Sequence, residues 1–126
     1  MKRLWIGILV LSVLLSSGIG VTMLLFRTHR PIAKTLQQAS HAAVSGNWEQ
    51  ATTQAQKAQM QWKKCRDLTA AFADHSVLEE VDSLFAQVQI YAAFGDVCSF
   101  SAACAHLSRL TQAIAESHLP KWQNFL

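Results

Sequence analysis

His75, Glu79 and Asp82 stand at i, i+4 and i+7, the spacing that sets an imidazole and two carboxylates on one helix face. Two kinds of chemistry use such a set: ligation of a divalent metal, and proton transfer between groups within hydrogen-bond reach. A plainer duty competes with both. Asp74, Glu79, Glu80 and Asp82 crowd one helix start, where negative charge complements the helix dipole and free N–H groups need acceptors. That duty is the expected one, and no metal or cofactor is assigned.

The sulfur chemistry is equally sparse. Cys98, Cys104 and His106 lack the C-x-x-C-H spacing of haem attachment. Cys98 and Cys104 fall on different faces of one helix and do not bridge each other there. Cys65 and Cys104 both lie on apolar seams, so they read either as buried thiols or, if their helices are neighbours, as a disulfide. His118, near the end of an apolar stripe, reads as a partly exposed cap. A Ser–His–Asp arrangement, a Gly-rich phosphate loop, HExxH and CxxC are all missing. The expectation is a chain that is not an enzyme.

The elements that position these residues are helices. Nothing alternates apolar and polar for long, and Ala and Gln stand where strands would need β-branched residues. Pro31 suits the first turn of a helix, with Ile32, Leu36, Ala39 and Ala43 on its inner face. Gly46-Asn47 reads as a stop followed by an N-cap. The second helix has the cleanest seam: Trp48, Ala51, Ala55, Ala58, Trp62, Cys65, Thr69 and Phe72 alternate steps of three and four. Ser76 and Glu79 match a capping box for a third helix, whose stripe is Val77, Val81, Leu84, Phe85, Val88 and Tyr91. Gly95-Asp96 repeats the stop-and-cap. Val97, Phe100, Cys104, Leu107, Thr111, Ile114 and His118 share a face of the fourth helix, which Pro120 ends. Trp122, Phe125 and Leu126 offer apolar side chains to fold back on the bundle.

Ahead of all this runs Leu4 to Phe26, 23 residues without a charge. As a helix it spans roughly 34 Å, enough for a hydrocarbon core of about 30 Å. Ser16-x-Gly18 and Gly18-x-Gly20 fit the small-residue pattern of a signal-peptidase site. Cleavage at either would leave Val21–Phe26 as an apolar end on the mature domain, so a retained anchor is expected. Ser12, Ser16 and Gly20 recur every four residues, a row that permits close helix–helix approach in lipid.

Charge supports the same reading. The net charge is +3, yet Lys2, Arg3, Arg27, Arg30 and Lys34 face no acid within the first 34 residues. The remainder carries six basic and eight acidic side chains, so the basic excess brackets the apolar run and no nucleic-acid footprint is left on the folded part. Lys2, Arg3, Arg27 and Arg30 are the expected membrane-interface residues, with the amino terminus inside and the folded part outside. Gln37, Gln38, Gln50, Gln54, Gln56, Gln59 and Gln61 give the first two bundle helices an uncharged polar face, with Gln50, Gln54 and Gln61 as the expected contact surface.

Two resemblances follow. AAVSGNWEQA at 42–51 resembles the helix–turn–helix of a tetratricopeptide unit, and FGDVCSFSAA at 94–103 is a weaker echo; two such units are too few for a repeat array. The whole layout is similar to a family of short, uncharacterised single-pass membrane proteins of Gram-positive endospore formers, a domain of unknown function. Trp62, DHSVLEEVDSLF with His75 and Asp82, and the ending NFL at Asn124 to Leu126 carry that likeness. It implies no known activity and no catalytic residue.

The expected architecture is all-α: one transmembrane helix followed by a small antiparallel four-helix bundle of two αα-hairpins. The boundaries are a basic tail at 1–3, a transmembrane signal anchor at 4–26, a basic juxtamembrane segment at 27–30, the bundle at 31–119 and a packing tail at 120–126. The expected role is a membrane-anchored interaction or accessory-subunit module, meeting lipid and another membrane protein or a second copy. The alternative is a ligand- or metal-binding sensor centred on His75, Glu79 and Asp82.

Overall fold

The computed structural model of the protein describes residues 1–71 and 73–117. Four helices account for them: α1 (Lys2–Val44), α2 (Trp48–Ala70), α3 (His75–Phe94) and α4 (Val97–Ser117). No strand occurs among the described residues. Phe72, His118, Pro120, Asn124 and the apolar tail of Trp122, Phe125 and Leu126 lie outside them.

The expected break between anchor and bundle is not there. Residues 27–30 are helical and Pro31 sits inside α1, which runs unbroken for 43 residues, about 65 Å at the usual helical rise. A proline in a helix interior removes one hydrogen bond and costs about 3 kcal/mol. Two longer-range demands outweigh that cost. A helix ended at Pro31 would leave the last four carbonyls of the segment before it without intrahelical partners. The residues after it, Ile32, Leu36, Ala39 and Ala43, are all buried in the core. The acceptor that Pro31 leaves without its helical donor is the Arg27 carbonyl, four residues earlier; the Thr35 hydroxyl donates to the Pro31 carbonyl at 2.8 Å, an ordinary back-bond of the next turn.

The two glycine turns form as their sequence implies. Gly46 takes φ 85°, with its N–H donating to Ala43 O and the Asn47 N–H to Ala42 O, the paired bonds of a Schellman stop. The Asn47 side chain then accepts from the Gln50 N–H and caps α2. Gly95 (φ 70°) and Asp96 repeat the device, with Asp96 accepting from the Ser99 N–H at 3.2 Å. Hydrogen bonding to Ser99 holds the Asp96 carboxyl below its usual range, because those bonds favour the charged form. The start of α3 differs from the Ser76–Glu79 box. Asp74, two residues earlier, accepts from the Ser76 N–H and is the cap, while Glu79 turns to His75.

The helices pack in cyclic order, α1 against α2 and α4, and α3 against both of those. The core stripes match the seams in the sequence: Ala51, Ala55, Ala58, Trp62, Cys65 and Thr69 from α2, Val81, Leu84, Phe85 and Val88 from α3, and Phe100, Cys104, Leu107, Thr111 and Ile114 from α4 are all buried. Leu78 joins them, and Val97 is more exposed than its stripe position implies. Trp62 and Phe100 anchor the two ends, with Trp48 edge-on to Phe100 at 4.9 Å. Full burial of such a side chain contributes about 2–3 kcal/mol.

The closest pairing is α1 with α4, and serines make it. The Ser108 hydroxyl donates to Ala33 O at 2.7 Å, Ser40 donates to Ser101 O at 3.1 Å, and the Ser40 and Ser101 hydroxyls lie 2.8 Å apart. A short hydroxyl reaches a neighbouring backbone only where two helices touch through small residues. α2 and α4 therefore occupy opposite corners, and Cys65 and Cys104 are free buried thiols. The disulfide alternative falls on that arrangement.

Candidate membrane segment and interaction surfaces

Residues Lys2–Gly20 make a helix long and apolar enough to cross a membrane, and none of that stretch is buried by the rest of the chain. Ser12, Ser16 and Gly20 lie along it, all exposed. The Ser16 hydroxyl donates to Ser12 O at 2.7 Å and Ser17 to Val13 O at 2.6 Å, so the hydroxyls are satisfied inside the helix. A Cβ built on Gly20 would meet nothing within 4 Å, which leaves the row open to a second helix. Lys2 and Arg3 mark one end, with the exposed Trp5 beside them, an aromatic of the type favoured at head-group depth. Arg27, Arg30 and Lys34 mark the other.

The set of His75, Glu79 and Asp82 does not assemble. His75 Nε2 lies 3.4 Å from Glu79 Oε1, with both side chains largely in solvent. Asp82 is turned across the bundle instead. One carboxylate oxygen accepts from the Trp62 indole N–H at 2.8 Å, and the other accepts from Arg66 Nε at 2.8 Å. No group of three or more His, Cys, Asp or Glu side chains among the described residues is placed to hold a metal ion. Both Asp82 oxygens are thus engaged by α2.

A second polar cluster went unseen in the sequence. His29 is fully buried at the foot of the bundle, its ring edge-on to Trp62 at 6.0 Å. Its Nε2 lies 2.9 Å from the Thr69 hydroxyl, which donates to Cys65 O at 2.8 Å. Burial pushes the Cys65 thiol up, partly offset by its bond with Thr69, and pushes Cys104 up to about 12. Both therefore stay neutral thiols and poor nucleophiles. Cys98 alone is exposed.

The expected glutamine surface is divided. The Gln50 amide oxygen accepts from Asn47 Nδ2 at 2.8 Å and serves the cap. The amide oxygens of Gln54 and Gln61 are shielded from solvent and accept no hydrogen bond. Gln59 accepts from Gln89 across α2 and α3, beside an open groove of about 390 Å³ lined by Ala55, Phe85 and Val88. Gln54 and Gln61 thus face inward on α2, and the row is not a free recognition face. The prominent exposed apolar side chains lie elsewhere. Val44, Phe94 and Val97 flank the two glycine turns at the far end of the bundle, with Ile90 one turn before Phe94.

These geometries meet one finding from comparison with known proteins: residues 21–125 match the model of a domain of unknown function, DUF4363. The chain belongs to the DUF4363 family. The match begins near the end of the apolar run and covers every helix of the bundle. No curated protein and no solved structure matches the chain. The DUF4363 region thus includes the foot of the bundle, with His29 and the basic row, and the two glycine turns at its far end.

Proposed function

We propose that this DUF4363 protein is a single-pass membrane protein whose bundle is an interaction or accessory-subunit module, with no catalytic step assigned to it. The observation that carries the reading is the unbroken α1. Its first half is apolar on every described face and buries none of that surface, while its second half is the central helix of the core. A bundle built on the continuation of an anchor is held at a fixed distance from the bilayer. Val44 stands seventeen residues beyond Arg27, so the Val44, Phe94 and Val97 tip would project about 26 Å from the charge boundary. Exposed apolar side chains beside rigid turns favour contact with another protein. The amino terminus is assigned to the cytoplasmic side and the bundle to the outside. The sensor reading has no observation in its favour, since Asp82 is engaged by Trp62 and Arg66.

A photo-crosslinking residue in place of Phe94, in native membranes, tests this. The expected result is a discrete adduct with a membrane protein or a second copy, on a chain that keeps its full 14.0 kDa after an alkaline wash. The same probe at the exposed Lys57 should give none. A full-length, membrane-held chain with no Phe94 adduct would sink the interaction role. A shortened chain released by the wash would sink the anchor.

A further inference from the structure

We propose that the cleft between α1 and α4 at the foot of the bundle binds the phosphate of an anionic phospholipid headgroup. Arg27, Arg30 and Lys34 stand at i, i+3 and i+7 of α1, a row about 10 Å long, and all three side chains are exposed. They line one cleft of about 1140 Å³, whose opposite wall is Ser108 and Gln112 of α4. Its described lining includes three cations and no carboxylate. Met23 and Pro31 complete it on the side of the apolar segment.

Each part of that lining suits one part of a lipid. Arg27 carries the first charge after Arg3, so the row lies where a hydrocarbon layer around the apolar helix would end. Met23, four residues before Arg27, offers apolar surface to an acyl chain, while the Arg27 guanidinium offers planar, bidentate donors to phosphate oxygens and Lys34 a further cation. Like charges at these spacings repel one another by a few tenths of a kcal/mol per pair in an isolated helix. An anion among them removes that repulsion. A choline headgroup carries its own cation into the same row, so the cleft selects a lipid with net negative charge over a zwitterionic one. The inference rests on the reading of α1 as a membrane helix.

The test uses the full chain in lipid nanodiscs containing phosphatidylcholine and phosphatidylglycerol, with retained lipid read by native mass spectrometry. The parent should retain phosphatidylglycerol preferentially. The double variant Arg27→Gln/Lys34→Gln leaves Arg30, which has an interaction of its own, in place. It should lose that preference by roughly tenfold, on the scale of one to two cations at an anionic surface. Lys2→Gln/Arg3→Gln changes the charge equally at the other end and should leave retention unaltered. Equal retention in parent and Arg27/Lys34 variant overturns the site, as does an equal loss in the Lys2/Arg3 control, which marks diffuse surface charge. Displacement of bound lipid by millimolar inorganic phosphate assigns the cleft to the free anion and overturns the lipid. A chain that never enters the discs overturns the membrane reading itself, a result distinct from entry without lipid preference.

Discussion

Asp82 shows how spacing along one helix leaves the partner of a side chain open. Spacing along α3 places it with His75 and Glu79, because one helix's periodicity says which residues share a face. It does not say which residue of the next helix arrives opposite. That depends on the register between α2 and α3, and the register brings Trp62 and Arg66 to the carboxylate. The Arg66–Asp82 pair is over a third exposed on each side, so its Coulombic part is largely screened. The indole bond adds to it, since its loss strands an N–H on a buried ring. Asp82→Ala should destabilise the full chain in detergent by about 1–2 kcal/mol and shift the tryptophan emission. Glu79→Ala, which removes only a solvent-exposed contact, should cost less than about 0.5 kcal/mol. Equal melting curves for the two variants would show that Asp82 is not tied to Trp62.

At the scale of elements, the seams were legible because 3.6-residue periodicity survives in α2, α3 and α4, and the Gly–Asn and Gly–Asp turns because few residues take positive φ. Two features were hidden by the same local logic. Pro31 looks like a helix start, since its local cost is visible in sequence and the core packing that overrides it is not. The α1–α4 contact was missed because Ser40, Ser101 and Ser108 are polar, and a stripe sought among apolar residues passes over them. Their value lies in size: they let two backbones approach until a hydroxyl meets a carbonyl. Ser108→Leu keeps helix propensity high and adds apolar surface, so a simple hydrophobicity argument expects a gain. The geometry expects the reverse, a loss of about 1–3 kcal/mol from overpacking at the Ala33 contact. Ser108→Ala should cost about 1 kcal/mol, the value of the missing hydrogen bond. Denaturant melts of the three chains give the order, and a leucine variant more stable than the parent would refute close α1–α4 packing.

For the whole molecule, the question is whether anchor and bundle are two bodies joined by a hinge or one. The sequence reads Pro31 as a helix start, with four residues between it and the apolar span. The structure has a single α1, in which the buried row of Ile32, Leu36, Ala39 and Ala43 continues the helix that begins at Lys2. The difference decides how a partner is met. On a hinge the exposed tip at Val44, Phe94 and Val97 would sweep a wide arc, whereas on one helix it is held at a set distance and azimuth from the apolar segment. Spin labels at Leu9 and Val44, with the exposed Cys98 replaced by Ser, should lie about 52 Å apart in a narrow distribution, as thirty-five helical residues require. Cys65 and Cys104 are buried and should not take label under native conditions. Two glycines inserted after Thr28 should broaden the distribution and shorten its mean, while the bundle melts as before because its buried residues, from His29 onward, all lie beyond that point. A broad distribution in the parent would place the hinge back at Pro31 and detach the bundle's position from its anchor.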